Sequence, residues 1–281
     1  MDAVDELLDK REKNKREIFP VVASFGTERT ANQLRKGRQA QGKRSRMEKA
    51  YLAALGNKVD FNGVIEWLHN YDKELQYERE FWGTREAVFE ARSTAIPYLN
   101  DVGYNNFYHE LEAVVTIDEK DLGRKTHSNM SDGLIAMLNL VAELAFRCVV
   151  LNGFLGNLAV KESTGIVMID ELDMHLHPNW QKHVIRDLKS AFPKLQFVVT
   201  THSPFIVQSL NSDELINLDK LTDVNLQDLT VDEVATEVMG VGSEFSIENQ
   251  EKYEDTKKAL LSPEETQVGD PLLRAFLELT R

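Results

Sequence analysis

The sequence predicts an α/β fold of parallel strands joined by crossover helices, with a short helical insert. Two observations carry this reading. Apolar runs at residues 166–169 and 197–199 flank an amphipathic segment of roughly 15 residues, the pattern of a strand, a crossover helix and a parallel strand. Each run then ends in polar residues, Asp170-Glu171 after the first and Thr200-Thr201-His202-Ser203 after the second. In open parallel sheets ligands bind beyond the carboxyl ends of the strands, so a site is expected there. Neither run alternates, and both faces of both strands are therefore expected to be buried.

The chemistry of that edge can be read residue by residue. An Asp closing a buried strand suits Mg²⁺, and a second carboxylate beside it suits orienting or deprotonating a water that attacks a phosphoryl group. His202 would face the same phosphate. Taken singly, Asp170 and Glu171 also read as caps of the following turn and His202 as a loop histidine; only their convergence makes a site. His175 and His177, spaced H-x-H, admit a metal reading. With no Cys nearby and Pro178 opening a helix at its first position, they read instead as shaping the turn.

The strings I-D-E-L-D-M-H-L-H-P from Ile169 and T-T-H-S-P from Thr200 resemble the Walker B strand, D-loop and switch-histidine loop of ABC-type ATPases of the SMC, RecF and overcoming-lysogenization-defect group. Within that group they look like the AAA-family ATPases of bacterial anti-phage systems of the Septu and retron-associated kind. The resemblance implies Asp170 for Mg²⁺, Glu171 as catalytic carboxylate, Asp173 and His177 in the D-loop, and His202 as sensor of the γ-phosphate. Met130-Ser131-Asp132-Gly133 stands before a long amphipathic helix, in the place and order of the ABC signature. Ser131 can cap that helix, whose amides and dipole form an anion site; a plain N-cap is the other reading. In the family that phosphate belongs to the ATP of a partner subunit, which makes Ser131, Asp132 and Gly133 nucleotide-binding in trans. Leu134 stands where the family has Gln, Glu or Tyr. The match runs over residues 100–245 and more weakly over residues 18–99.

From the beginning of the chain, 281 residues with 42% hydrophobic content can bury a substantial core. No apolar run near 18 residues and no signal peptide is read, residues 1–16 being charged and helical in pattern, so a soluble cytoplasmic chain without a membrane segment is expected. Cys148, the one cysteine, excludes an internal disulfide and reads as core packing. The net charge of −13 argues against general coating of nucleic acid. A local basic site remains conceivable at residues 29–49, where Arg29, Arg35, Lys36, Arg38, Lys43, Arg44, Arg46 and Lys49 are offset only by Glu48; a solvated loop is the alternative. Within it Gly37 to Lys43 has P-loop spacing, but Arg44 stands where Ser or Thr must hold Mg²⁺, and no buried strand runs into Gly37.

The apolar run at residues 19–25, followed by Gly26-Thr-Glu-Arg29, resembles the Tyr-Gly-Thr-x-Arg region of the defence ATPases. The Walker A loop of the family precedes that region. The chain thus resembles the carboxy-terminal part of such an ATPase, either truncated, completed by another chain, or no longer hydrolysing. Residues 47–99 are helical in pattern, with Val64, Ile65, Trp67, Leu68, Phe81, Trp82, Val88 and Phe89 as packing residues. Residues 104–117 read as strand, with Leu111, Ala113 and Val115 alternating. The helix after the signature presents one wide apolar face. Residues 214–218 read as another strand, and residues 231–239 as a helix closed by Gly240.

The expected organisation is an N-terminal helix, strand and basic loop at residues 1–46, a helical arm or lid at 47–100, an ABC ATPase lobe at 101–245 and an acidic helical tail at 246–281. The resemblance implies ATP binding and hydrolysis with Mg²⁺ across a head-to-tail homodimer that gates an effector, such as a nuclease, in anti-phage defence. The alternatives are a non-hydrolysing scaffold or regulatory subunit, and a DNA-repair ATPase of RecF or SMC type. The tail leaves no room for the Toprim nuclease of overcoming-lysogenization-defect proteins.

Overall fold

The computed structural model describes residues 9, 16–29, 50–51, 54–56, 61–74, 84–105, 110–117, 119–218, 225–242 and 249. The readings made on residues 30–49, on Phe81 and Trp82 and on most of the tail lie outside them. The chain divides into two compact units, residues 1–209 and 210–281.

In the first unit a parallel sheet runs β1 (Val21–Phe25), β5 (Gly165–Ile169), β6 (Leu195–Val199), with β5 in the centre. Val21 pairs with Gly165 and Gly165 with Leu195, so the three strands end together at Phe25, Ile169 and Val199. Gly165 is required where β1 and β5 meet. A Cβ there would lie 1.9 Å from the Val21 carbonyl oxygen. Ahead of β1 the buried Asn152 amide acts as a strand substitute, its Oδ1 accepting from the Phe19 N–H at 2.8 Å and its Nδ2 donating to the Phe19 carbonyl at 3.0 Å.

The expected burial of both faces is corrected by the structure. Val167 and Ile169 are buried, but Ile166, Met168 and Val198 are 47%, 37% and 52% exposed. Among the described residues one face of the sheet is buried, and the helix α3 (Asp132–Leu151) packs there against β1. α3 is buried from Gly133 to Leu151 on every side, not along one stripe, because α1 (Phe61–Glu74) and α2 (Arg85–Ala95) pack on its other faces. By length and composition it is also the one apolar segment among the described residues long enough to cross a membrane, a run that the sequence reading did not pick out; from Gly133 to Leu151 it is buried inside the protein. Its charges are neutralised in place, Glu143 and Arg147 forming a buried pair one turn apart while Arg147 also donates to the Ala50 carbonyl at 2.7 Å. Cys148 is buried there as core, and burial raises its thiol to about 12. Trp67 packs against Tyr71 and Phe146, a core role as expected.

An antiparallel sheet of β2 (Leu99–Asn105), β3 (Glu110–Ile117) and β4 (Lys120–Thr126) leads into α3. The alternation in β3 is as read, with Leu111, Ala113 and Val115 buried. After α3 comes the short helix α4 (Ala159–Glu162), then β5. The crossover from β5 to β6 is a broken helix, α5 (Pro178–Gln181) and α6 (Val184–Ala191), and α7 (Pro204–Gln208) follows β6 with Ser203 as its N-cap.

In the second unit residues 214–218 form no strand. Ser212–Glu214 is a 3₁₀ turn, and Ile216 and Leu218 are 84% and 94% exposed, so among the described residues no partner strand rewards extension. Residues 231–239 do form a helical segment. It opens on a Thr230–Glu233 capping box, passes into a π turn at Val234–Val238 and is followed by Gly240 at φ 74°.

Candidate phosphoryl-transfer site

Parallel pairing brings the last residues of β1, β5 and β6 to one edge, where Arg29, Asp170, Glu171 and Thr200 stand side by side. The Asp170 N–H donates to the Phe25 carbonyl at 2.8 Å, extending the β1–β5 ladder by one residue and fixing the Asp170 backbone. From the other side the Thr200 hydroxyl donates to Asp170 Oδ1 at 2.6 Å and accepts from the Glu171 N–H at 2.8 Å. One hydroxyl thus ties both carboxylate residues to the end of β6. Glu171 is held at φ 49° and His175 at φ 65°, conformations that cost a non-glycine residue about 1–3 kcal/mol each and persist where surrounding bonds over-determine them.

Asp173 turns back into the loop after β6. Its Oδ1 accepts from the Thr201 hydroxyl at 2.5 Å and from the His202 N–H at 3.1 Å. His202 is thereby anchored through its backbone, its ring exposed at the same edge. Gln181 of α5 braces the loop from behind. Its amide donates to the Asp173 and Leu176 carbonyls at 3.2 and 2.9 Å, and its Oε1 accepts from Ser203 Oγ at 2.7 Å.

His177 plays a local part. As N-cap of α5 its Nδ1 accepts from the Asn179 N–H at 3.3 Å, the turn-shaping role weighed against metal binding. Among the described residues no three His, Cys, Asp or Glu gather to hold a metal. Mg²⁺ needs no such cage, being held by one or two carboxylates together with substrate phosphates and waters. An exposed Asp170 carboxylate with a hydroxyl beside it fits that demand.

The start of α3 adjoins this edge. Ser131 occupies the N-cap position, but its side chain makes no capping hydrogen bond, contrary to the capping read from sequence; it is exposed beside Asp132, leaving the first amides of the helix uncapped by it. Gly133 is buried under the turn of residues 173–176, where a Cβ would lie 2.4 Å from the His175 carbonyl oxygen. The start of α3 and the turn after β5 are therefore in direct contact.

Arg29 is the residue that sequence reading misplaced. Assigned to a basic surface at residues 29–49, it is 2% exposed, and its Nη2 donates to the Glu171 carbonyl. Burial lowers its pKa, while Asp173, Asp170 and Glu171 oppose that shift. A signal was present in the sequence, because Arg29 follows the end of β1 as closely as Asp173 follows the end of β5, and parallel strands place such residues on the same edge.

The family model described as "AAA domain, putative AbiEii toxin, Type IV TA system" matches residues 4–208, and the chain belongs to this AAA family. Among curated relatives, "Retron Vc95 probable ATPase" of Vibrio cholerae serotype O1 biovar El Tor is 39% identical over 175 residues, 60% of this chain and 32% of the relative. "Retron Ec83 probable ATPase" of Escherichia coli is 34% identical over 59% of this chain and 30% of the relative. "Septu protein PtuA" of Bacillus thuringiensis is 36% identical over 44% of this chain and 34% of the relative. The chain spans about a third of the length of these relatives. Among solved structures, the SMC head domain from Thermotoga maritima aligns over 52% of this chain and 44% of that one, with a TM-score of 0.31 and 20% identity.

Proposed function

We propose that this chain carries the hydrolytic edge of an ABC-type ATP site and belongs to an ATPase of anti-phage defence. The observation that carries the reading is the meeting of Asp170, Glu171 and His202 at the ends of adjacent parallel strands, tied together by Thr200, Thr201 and Asp173. Asp170 would hold Mg²⁺, which when bound neutralises the phosphate charge. Glu171 orients the attacking water and takes its proton, and His202 faces the γ-phosphate.

The exposed start of α3 supports a second element. The amides around Ser131, Asp132 and Gly133 receive the terminal phosphate of a nucleotide held mainly by a second copy, in a head-to-tail dimer. Its closing and opening would gate an effector protein such as a nuclease. The names of the retron and Septu relatives support the biological setting.

The test is Glu171→Gln in the full-length protein. The amide keeps the shape and can still hydrogen-bond water but cannot accept its proton. Turnover should fall about 10²–10⁴-fold, with ATP binding retained and the ATP-bound dimer prolonged. Equal hydrolysis by variant and parent sinks the assignment. A chain that binds no nucleotide in its full-length context is instead a scaffold.

A further inference from the structure

We propose that Arg29 is a positioning residue for Glu171, and that a buried relay through Asn139 and His127 ties it to the segment leading into Ser131. The inference rests on the reading of Glu171 as the residue that handles the attacking water.

The relay is continuous. Arg29 Nη2 donates to the backbone carbonyl of Glu171, the residue held in the left-handed region. The Arg29 carbonyl in turn accepts from Asn139 Nδ2 at 3.0 Å, and Asn139 Oδ1 pairs with His127 Nε2 at 2.8 Å. Because the Asn139 amide group is committed to Arg29, its oxygen is the acceptor and His127 must present Nε2–H. Arg29, Asn139 and His127 are 2%, 1% and 3% exposed, so each bond is made away from competing water. Burial also lowers the His127 pKa, which keeps the ring neutral and the tautomer set by Asn139 in place.

At the far end His127 opens the 3₁₀ turn His127–Asn129, and the His127 carbonyl accepts from the Met130 N–H at 3.3 Å, one residue before Ser131. The relay therefore begins at the approach to α3 and ends on the backbone of Glu171, passing through the interior of the same unit. Arg29 makes its contact to the carbonyl and not to the Glu171 carboxylate in any bond described, so it sets where the carboxylate stands and leaves that group available to water. Among the described residues its Nε has no hydrogen-bond partner, so the guanidinium is not satisfied as a plain structural tie. Burying this cation is costly, and the three nearby carboxylates, Asp173, Asp170 and Glu171, offset that cost.

The test uses the full-length protein with Arg29→Lys, His127→Phe and His127→Gln, with Glu171→Gln as reference. Arg29→Lys and His127→Phe should lower kcat on the order of 10–100-fold with KM for ATP changed little. They should also speed amide hydrogen exchange across residues 170–176. His127→Gln, which restores a donor toward Asn139, should recover most of both losses, and a His127→Gln variant that recovers neither would overturn the His127–Asn139 step. If Glu171→Gln abolishes turnover while Arg29→Lys and His127→Phe leave both kcat and exchange unchanged, the relay is wrong and the catalytic reading stands. If Glu171→Gln leaves turnover intact, the catalytic reading itself is wrong; accelerated exchange in Arg29→Lys would then show the clamp as purely structural, which overturns the proposal.

Discussion

Gly133 at the start of α3 lies against the carbonyl of His175, so close that a methyl group at its Cα would be 2.4 Å from that oxygen. Two backbone segments far apart in sequence, one read as a phosphate seat and the other as the turn behind the carboxylates, are in direct contact. Movement of one must displace the other.

Gly133→Ala should therefore push the turn of residues 173–176 away from α3. Overpacking against backbone costs about 1–3 kcal/mol, visible as a lower Tm in calorimetry, and turnover should fall with it. Ser131→Arg is the control, since Ser131 is exposed and does not cap the helix. It should leave stability within about 0.5 kcal/mol of the parent yet block ATP-dependent dimerisation in light scattering. Normal closure by Ser131→Arg would remove the role in trans.

Thr200→Val keeps shape and deletes the hydroxyl that links Asp170 to the Glu171 N–H. Loss of two partly solvated hydrogen bonds should cost about 1 kcal/mol in denaturant unfolding. The larger effect should be on Mg²⁺, with the metal concentration for half-maximal hydrolysis raised about 10-fold or more as Asp170 loses its orienting partner. An unchanged Mg²⁺ dependence would show that Thr200 serves the loop alone.

Arg92 on α2 is fully buried, and among the described residues none of its three guanidinium nitrogens has a hydrogen-bond partner; the Phe89 ring lies 5.7 Å away. Burial lowers its pKa to about 9 from 12.5. Because the folded value is below the unfolded one, the unfolded chain binds more protons between the two, and this group's destabilisation is complete below about pH 9 and relieved as pH rises above it. Replacing Arg92 by Met should consequently stabilise the protein at neutral pH, by about 1–4 kcal/mol from the precedent of buried charges replaced by apolar side chains. The gain should shrink as unfolding is measured above about pH 9. An Arg92→Met variant less stable than the parent at neutral pH would mean that the charge has a partner in the assembled protein.

The site was more legible in the sequence than the surfaces around it. Asp170, Glu171 and His202 were readable because each follows an apolar run, and chemistry in a parallel sheet collects where such runs end. The helical segment at residues 231–239 was legible from its amphipathic pattern and from Gly240, which are local signals. The strand read at residues 214–218 failed because Glu-Leu-Ile-Asn-Leu carries extended propensity, while strand formation depends on a partner that these residues do not meet among the described ones. Ser131 has the right side chain and position for a cap, but whether a hydroxyl turns inward is decided by what surrounds it.

The sequence by itself determined the strand, crossover helix and strand of β5 to β6 and the acidic residues that follow β5, since apolar periodicity and the polar residues ending each run are properties of neighbouring positions. Only the tertiary structure decided that Arg29 is buried against the Glu171 carbonyl, that Ile166, Met168 and Val198 stand exposed on one face of the sheet, and that α3 is enclosed from Gly133 to Leu151. The Arg29–Glu171 contact joins residues 142 positions apart. Contacts of that kind depend on how strands pair and which helices pack over them, and no local pattern of residue types encodes either.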